Sequence, residues 1–313
     1  MKKGKKICII LAACCIVVGG VMTMASVAMA GFDFSKFNSR LVYKKTYSIE
    51  VSYQEKTYTA ESDFDQIEIS TEWENVQFVP SEDGTCKVVC PVKDDADFTV
   101  EVKDNTLRVI KNEENWQENL FNFQFSAPED VTIYLPQNTY QNLSVKTASG
   151  NVILPSDFAF TNVDMYSASG NLEGQAQISQ TLNAESVSGN VSVQKFTGDK
   201  LELKTTSGDI HVQDSTAKTI GITSVSGNVS INRSGASENA MLQLTSGDVD
   251  FVEFDAPEIE VTTVSGCVEG SLLSGKQFFV NSLSGDVQVP QNQSQSQTCT
   301  ISTTSGDVRL TIG

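Results

Sequence analysis

The chain has 313 residues, of which 39% are hydrophobic and 8% aromatic, so it is long enough to bury a sizeable core and does not have the composition of a disordered protein. Its formal net charge is −17, from 22 basic and 39 acidic residues. Because phosphate binding needs a basic face, so acidic a protein argues against nucleic acid as a partner.

The N-terminus combines a basic tail with a long apolar run. Four lysines lie among residues 2–6, and residues 7–31 carry no charge. About twenty residues of helix cross a bilayer, so the run predicts one transmembrane helix. The lysines predict a cytoplasmic N-terminus and an extracellular body at the cell membrane. The small residues before Gly31 also have the form of a cleavage site, so secretion after cleavage near Ala30 is the alternative.

Four parts follow from the changes in sequence texture. We expect a membrane anchor or signal segment at 1–31, a juxtamembrane linker at 32–60, a non-repetitive β cap at 61–140 and solenoid repeats at 141–313. The cap region holds alternating segments that are typical of half-buried strands. Because an open coil end offers unpaired edges, we expect this region to cover the first coil.

The second half of the chain is an internal repeat. Nine Ser-Gly pairs recur at steps of 19 to 21 residues, and Asn or Asp follows the glycine in eight of them. A period near twenty residues is typical of a solenoid, in which each unit buries its apolar face by stacking on its neighbours. The predicted structural turn glycines are Gly150, Gly170, Gly189, Gly208, Gly227, Gly247, Gly266, Gly285 and Gly306.

Apolar residues return at fixed offsets around each glycine, seven and five residues before it and two after it. Around Gly208 these are Leu201, Leu203 and Ile210, and the residues between them are polar. Spacing by twos indicates strands, so one unit is a strand, a corner, a second strand and a looser third side that carries an apolar residue such as Phe196, Phe254 or Leu273. We attribute the glycine to a positive φ angle and the next Asn or Asp to a bond with its own backbone.

Like residues at identical offsets favour parallel coils over antiparallel hairpins. The predicted fold is therefore all-β, a parallel β-solenoid (β-helix) of about nine coils with an irregular β N-terminal cap and one N-terminal transmembrane helix. Only five residues follow the last repeat at Val308, so the C-terminal coil is predicted to be nearly bare. It could self-associate or contact a partner, or Arg309 and Thr311 could suffice to cover it.

Residues with catalytic potential are few, and we predict a protein that is not an enzyme and has no cofactor. The single histidine, His211, lies at an outward offset without an orienting partner. Asp250 and Glu269 share one outward offset on adjacent coils, close to the separation of carboxylates in retaining glycosidases. This pair is a weak acidic-patch candidate. The alternative is that the two residues are ordinary solvated acids on the surface of an acidic solenoid.

Metal and disulfide chemistry are also weakly indicated. Four corner residues are aspartates, which suggests calcium, but asparagine fills the same offset in other copies, so turn chemistry explains both and no metal is predicted. The body cysteines show neither a disulfide framework nor zinc spacing, and we expect buried, inert thiols. The aspartates are Asp209, Asp248, Asp286 and Asp307, and the cysteines are Cys86, Cys90, Cys267 and Cys299.

The Ser-Gly-Asn/Asp-Val repeat, preceded by Val-Thr-Ile-Tyr-Leu-Pro at 131–136 and Tyr-Gln-Asn-Leu at 140–143, resembles the bacterial putative-adhesin family of β-strand repeat proteins. That family is classed as a domain of unknown function. The resemblance implies a β-solenoid, often behind an N-terminal membrane segment in Gram-positive bacteria, with roles in adhesion or envelope-stress sensing. It supplies no catalytic residues.

These observations leave three functions in order of preference. The first is a non-catalytic, membrane-anchored cell-surface module for binding or adhesion, with a cell-wall, glycan or protein ligand. The second is an envelope-stress regulatory protein or self-assembling scaffold. The third is a β-helix polysaccharide lyase or hydrolase, which would need a cluster of outward acidic and basic groups in one groove.

Overall fold

The computed structural model describes residues 53–60, 63–93, 97–112, 130–291 and 296–313. The predicted N-terminal membrane segment at 1–31 lies outside these ranges. Within them, no helix has the length and apolar character needed to span a membrane.

The described residues form 25 strands in two sheets, without a helix, so the predicted all-β class is confirmed. The strands up to residue 135 are β1 (Gln54–Thr59), β2 (Gln66–Ser70), β3 (Asn75–Pro80), β4 (Lys87–Val92), β5 (Phe98–Lys103), β6 (Thr106–Lys111) and β7 (Asp130–Leu135). The later strands are β8 (Thr139–Thr147), β9 (Val152–Leu154), β10 (Ala159–Ser167), β11 (Leu172–Gly174), β12 (Gln177–Ser186), β13 (Val191–Gln194), β14 (Lys200–Ser207), β15 (Ile210–Gln213), β16 (Thr216–Ser226), β17 (Val229–Asn232), β18 (Gly235–Ser246), β19 (Val249–Phe254), β20 (Glu258–Ser265), β21 (Val268–Leu272), β22 (Gln277–Ser284), β23 (Val287–Gln288), β24 (Thr298–Ser305) and β25 (Val308–Ile312).

Each repeat is one coil, with a strand in each sheet joined at the corner glycine. In the coil of Gly208, strand β14 pairs in parallel with β12 on one side and β16 on the other, so that Leu203 lies between Ala184 and Ile222. The predicted parallel β-solenoid is therefore confirmed. In the described residues nine corners lie one above another, and eight steps separate them. The repeats therefore make about eight turns, whereas we predicted about nine coils.

The predicted inward rows form the core. Leu201, Leu203 and Ile210 are fully buried, as are their counterparts in the other internal coils. Phe196 and Phe254 fill the third side, as predicted, but Leu273 points to solvent. Because side chains fill the space between the two sheets in the described coils, the surfaces that these coils offer to a ligand are on the outside.

The lower end of the stack is closed by antiparallel strands. The coils β6–β7 and β2–β3 stack below β8–β9, so both sheets continue beyond the repeats. Strand β5 then pairs antiparallel with β6, while β4 pairs antiparallel with β7 and β1 with β4. These short strands carry charged side chains such as Lys56 and Glu101, which is how edge strands commonly avoid further pairing.

The upper end departs from the sequence order. Strand β24 lies between β20 and β22, and β25 lies between β21 and β23. The coil at 298–312, last in the sequence, is therefore internal, and the end coil is 277–288. Our expectation of a bare C-terminal coil is wrong, because the polar linker at 289–297 is long enough to carry the chain back past one coil.

A buried lysine joins the segments of chain that enter and leave the end coil. Lys276 has no exposed surface, and its ammonium donates hydrogen bonds to the carboxylate of Asp255, to Ser274 Oγ at 2.7 Å and to Gln297 Oε1 at 2.6 Å. The three donors of the ammonium are thus satisfied. They connect the loop that enters the end coil with the linker that leaves it.

Replacing Lys276 with methionine should strongly destabilise the upper end. The substitution removes the partner of a partly buried carboxylate, which we expect to lower the free energy of unfolding by about 3 kcal/mol. Lys218→Met is the matched control, because Lys218 pairs with Asp199 at 2.8 Å on the exposed surface, where solvent screens the pair, so its loss should change stability little. Urea denaturation followed by circular dichroism measures both, and equal effects would contradict the assignment.

The corner glycines are required by the approach of one coil to the next. A Cβ atom on Gly208 would overlap the backbone carbonyl oxygen of Gly189, and each of the other corner glycines meets a backbone carbonyl oxygen of an adjacent coil in the same way. Only Gly247 and Gly285, with φ of 153° and 150°, have the positive φ that we expected at every corner. The expected reason for the glycine is therefore wrong at the other seven corners, where steric contact explains it.

Gly208→Ala should lower the free energy of unfolding by about 3 kcal/mol, because the backbone atoms that it meets cannot move aside without separating two coils. Gly174→Ala is the control. A Cβ there meets only side-chain carbons, the nearest at 3.5 Å, so stability should stay the same or rise by up to about 1 kcal/mol. Thermal unfolding measures the stability of both variants. If Gly208→Ala were as stable as Gly174→Ala, the steric explanation of the corner glycine would be wrong.

Candidate functional site

The residue after each corner glycine belongs to a ladder of hydrogen bonds along the rod. Asn171 Oδ1 accepts the backbone N–H of Asn190 at 2.9 Å, and Asn190 Oδ1 accepts that of Asp209 at 2.9 Å. Asp209 Oδ1 in turn accepts the N–H of Asn228 at 2.8 Å. Our expectation of a bond within the same corner is wrong, because the acceptor serves the next coil. One side-chain oxygen suffices, so Asn and Asp are interchangeable.

This ladder gives the side chains of three corner aspartates, Asp209, Asp248 and Asp307, a structural role. Asp209 and Asp248 are separated by the coil of Asn228, and Asp248 Oδ1 accepts the N–H of Cys267 at 2.7 Å. Asp307 Oδ1 accepts the N–H of Asp286 at 2.8 Å. In the part of the chain that the structure describes, no three His, Cys, Asp or Glu side chains are grouped as metal ligands.

On the inner side of the corner, a second row of Ser and Thr side chains forms hydrogen bonds with the backbone of the corner glycines. Sequence reasoning missed this row. Ser186 Oγ donates to the carbonyl oxygen of Gly170 at 3.0 Å and accepts the N–H of Gly189 at 2.9 Å. Ser167 makes the same pair of bonds with Gly150 and Gly170. The sequence pattern that indicates this row is a Ser or Thr three residues before nearly every corner glycine.

The ladder predicts opposite effects at two of its positions. Asn171→Ala removes one acceptor and should lower the free energy of unfolding by about 1 kcal/mol, whereas Asn171→Asp keeps the acceptor and should change it little. Cys267 leaves a gap, because its side chain has no oxygen to offer the coil of Asp307. Cys267→Asn should therefore raise stability by up to about 1 kcal/mol.

Thermal unfolding of these three variants and the wild-type protein, at one protein concentration, measures the effects. If Asn171→Asp were as destabilising as Asn171→Ala, acceptance of the neighbouring N–H would not be the function of this side chain.

The weak acidic-patch candidate lies on the open outer face of the 13-stranded sheet. Asp250 and Glu269 are in register on β19 and β21, but Arg309 on β25 is in register with Glu269 on its other side. Arg309 Nη1 lies 2.6 Å from Glu269 Oε1, and this hydrogen bond raises the pKa of Arg309 above its usual value. Sequence reasoning placed Arg309 on the terminal coil and missed its contact with Glu269, because the changed coil order brings the two residues together.

This arrangement does not provide acid–base chemistry. A carboxyl group that acts as a general acid needs a protected environment that keeps its proton, whereas Asp250 is exposed and Glu269 is held in a surface ion pair. His211 is also exposed, in register with Ser192 and Ser230. Asp250 and Glu269 are neighbours in register on an open sheet face, and neither lines either of the two grooves described below.

The four body cysteines are free in the structure. Cys86, Cys90 and Cys299 are buried, and burial raises the pKa of each thiol to about 12. A thiol is a nucleophile and a metal ligand only as a thiolate, so these three are inert, as predicted. Cys267 is partly exposed at its corner.

A shallow groove of about 350 Å³ lies on the outer face of the 12-stranded sheet, across β8, β10 and β12. Outward side chains there form two rows of three, since strand register places Tyr166 between Lys146 and Glu185, and Asp164 between Ser144 and Asn183. We call these six residues the Tyr166 patch. The Tyr166 side chain is 38% exposed, and Asn183 Nδ2 donates to Asp164 Oδ1 at 2.7 Å.

The Tyr166 patch combines an accessible aromatic ring with amide, carboxylate, hydroxyl and ammonium groups. Such a ring offers an apolar face, and the groups around it offer donors and acceptors at strand spacings of about 4.8 Å. The sequence shows this only as one aromatic residue in an outward row that is otherwise mostly polar, because a repeat gives no reason to favour one coil over another.

The two sheets, the stacked glycine corner and the Asn/Asp ladder define a parallel β-solenoid whose polar side chains lie on the outer faces. The family model described as Toastrack DUF4097 matches residues 64–255 and 173–312. The chain belongs to this family.

The chain is similar to solved structures that share little sequence with it. A protein described as a putative lipid binding protein from Parabacteroides distasonis is 15% identical, with a TM-score of 0.54, and the match covers 83% of this chain and 97% of that one. A putative adhesin from Bacteroides fragilis is 18% identical over the same shares of the two chains, with a TM-score of 0.45. No curated protein matches the chain significantly.

Proposed function

We propose that this protein is a non-catalytic binding module of a bacterial cell envelope, and that its ligand is a glycan held by the Tyr166 patch. The observation that carries the proposal is the exposed Tyr166 ring, with hydrogen-bonding side chains on both neighbouring strands. Sugar rings present C–H groups to an aromatic face and hydroxyl groups to the polar groups around it. A flat surface of this kind suits a chain of sugars better than a small molecule, which needs a deeper cavity.

The charge of the protein narrows the ligand class. The chain carries a net charge of −17, and the Tyr166 patch itself contains Asp164 and Glu185 against Lys146. Long-range repulsion therefore disfavours polyanions. Neutral glycans and glycans with amino sugars fit this surface.

A position outside the cell fits the same function. The basic tail and the apolar run at 7–31 support an anchored protein whose body faces outward, with secretion after cleavage near Ala30 as the other arrangement. The lyase or hydrolase alternative receives no such support, because Glu269 is occupied by Arg309.

Binding of full-length protein in detergent to a glycan array and to purified cell-wall fragments tests the proposal. Tyr166→Ala should weaken binding by about tenfold or more, which is the effect of removing an aromatic anchor worth about 1 to 3 kcal/mol. Met241→Ala is the matched control, since Met241 is exposed to a similar extent on the same sheet face, four coils away.

Two results would contradict this proposal. Wild-type protein that binds no glycan removes the proposed ligand class. Equal losses in the Tyr166 and Met241 variants would show that the Tyr166 patch is not the site.

A further inference from the structure

The end coil at 277–288 exposes part of the core. Val287 occupies the inward offset two residues after its glycine and is 45% exposed, whereas its eight counterparts in the described coils are fully buried. Beside it, β23 stops after Gln288 while β25 continues to Ile312, which leaves a groove of about 540 Å³ lined by Val289, Leu310 and Ile312 among others. We call this uncovered surface the end face.

The hydrogen-bonding pattern of the coils also stops at the end face. In the coil below, the N–H groups of Gly306 and Val308 donate upward to Ser284 and Asp286. The corresponding groups of the end coil belong to Gly285 and Val287, and the described residues place no further strand above them. The Asn/Asp ladder ends in the same way, since no described N–H reaches the side chain of Asp286. An unpaired edge of this kind is a template for another strand.

The end face is nearly neutral in a strongly acidic protein. Among residues 277–288 only Asp286 is charged, although the chain carries a net charge of −17. Two copies that approach through their flanks would repel each other, whereas the end faces can meet with little electrostatic cost. The charge distribution therefore fits a second copy of this chain.

The lower end is less suited to the same contact. Its edge strands are β1 and β5, which carry charged side chains such as Lys56 and Glu101 that disfavour further pairing. Pairing through the upper end alone forms a closed pair, which does not extend into a filament.

We propose that two copies of the protein associate through their end faces, related by a two-fold axis, with edge strands β22 and β23 paired antiparallel across the contact. The pairing covers Val287 and the groove beside it, and it gives partners to the upward N–H groups. It is independent of glycan binding, because the Tyr166 patch lies at the other end of the rod, near β8.

Light scattering coupled to size-exclusion chromatography of the full-length protein in detergent tests the pairing. The wild-type protein should be a dimer at micromolar concentration. Val287→Lys places two like charges in the contact and should weaken association by about tenfold or more. Val264→Lys makes the same change on the outer wall of an internal coil, at 51% exposure, and should leave the dimer intact.

Hydrogen exchange of the wild-type protein provides a readout that needs no substitution. The amides of β22 and β23 should become more protected as the protein concentration rises, while those of β14 stay the same. A monomeric wild-type protein, assemblies larger than a dimer, an unaffected Val287→Lys dimer or concentration-independent exchange at β22 and β23 would each overturn the proposal.

Discussion

The structure depends on the close approach of successive backbones at the glycine corner. A Cβ atom there would overlap the carbonyl oxygen of the neighbouring coil, so the contact forms only where glycine recurs at the same place in every unit. Once it forms, it fixes the register of both sheets, because each corner joins a strand of one sheet to a strand of the other. The buried rows of Leu, Ile and Val then align without further specification.

The same constraint explains why the molecule presents its chemistry on the outside. The corner positions are used by the backbone contacts and the Asn/Asp ladder, and the interior is filled by side chains. What varies between coils is the outward rows, where Tyr166, Met241 and Arg309 occur among small polar residues. The outer walls and the end coil are therefore the surfaces of the described coils that remain available to a ligand or partner.

Much of this could be predicted from the sequence. The period and the alternation around Gly208 suffice for the strands, the parallel stacking and the buried rows. The order of the last two coils could not be predicted, because Phe278 and Cys299 fill the same inward offset and either coil can follow β20. Lys276 decides between them through contacts with residues about twenty positions away on either side. The Tyr166 patch was missed because strand register, which selects its six residues, is a property of the folded rod.

The end face exists only if the coil at 277–288 lies above the coil at 298–312, and distances along the stack test this order directly. Ser144, Thr300 and Phe279 occupy one outward row, at its start and at its seventh and eighth steps. Spin labels carried by non-natural amino acids at 144 and 279 should be about 38 Å apart, and labels at 144 and 300 about 34 Å apart, at about 4.8 Å per step. A longer distance to 300 than to 279 would show that the coils follow the sequence order and would contradict the account.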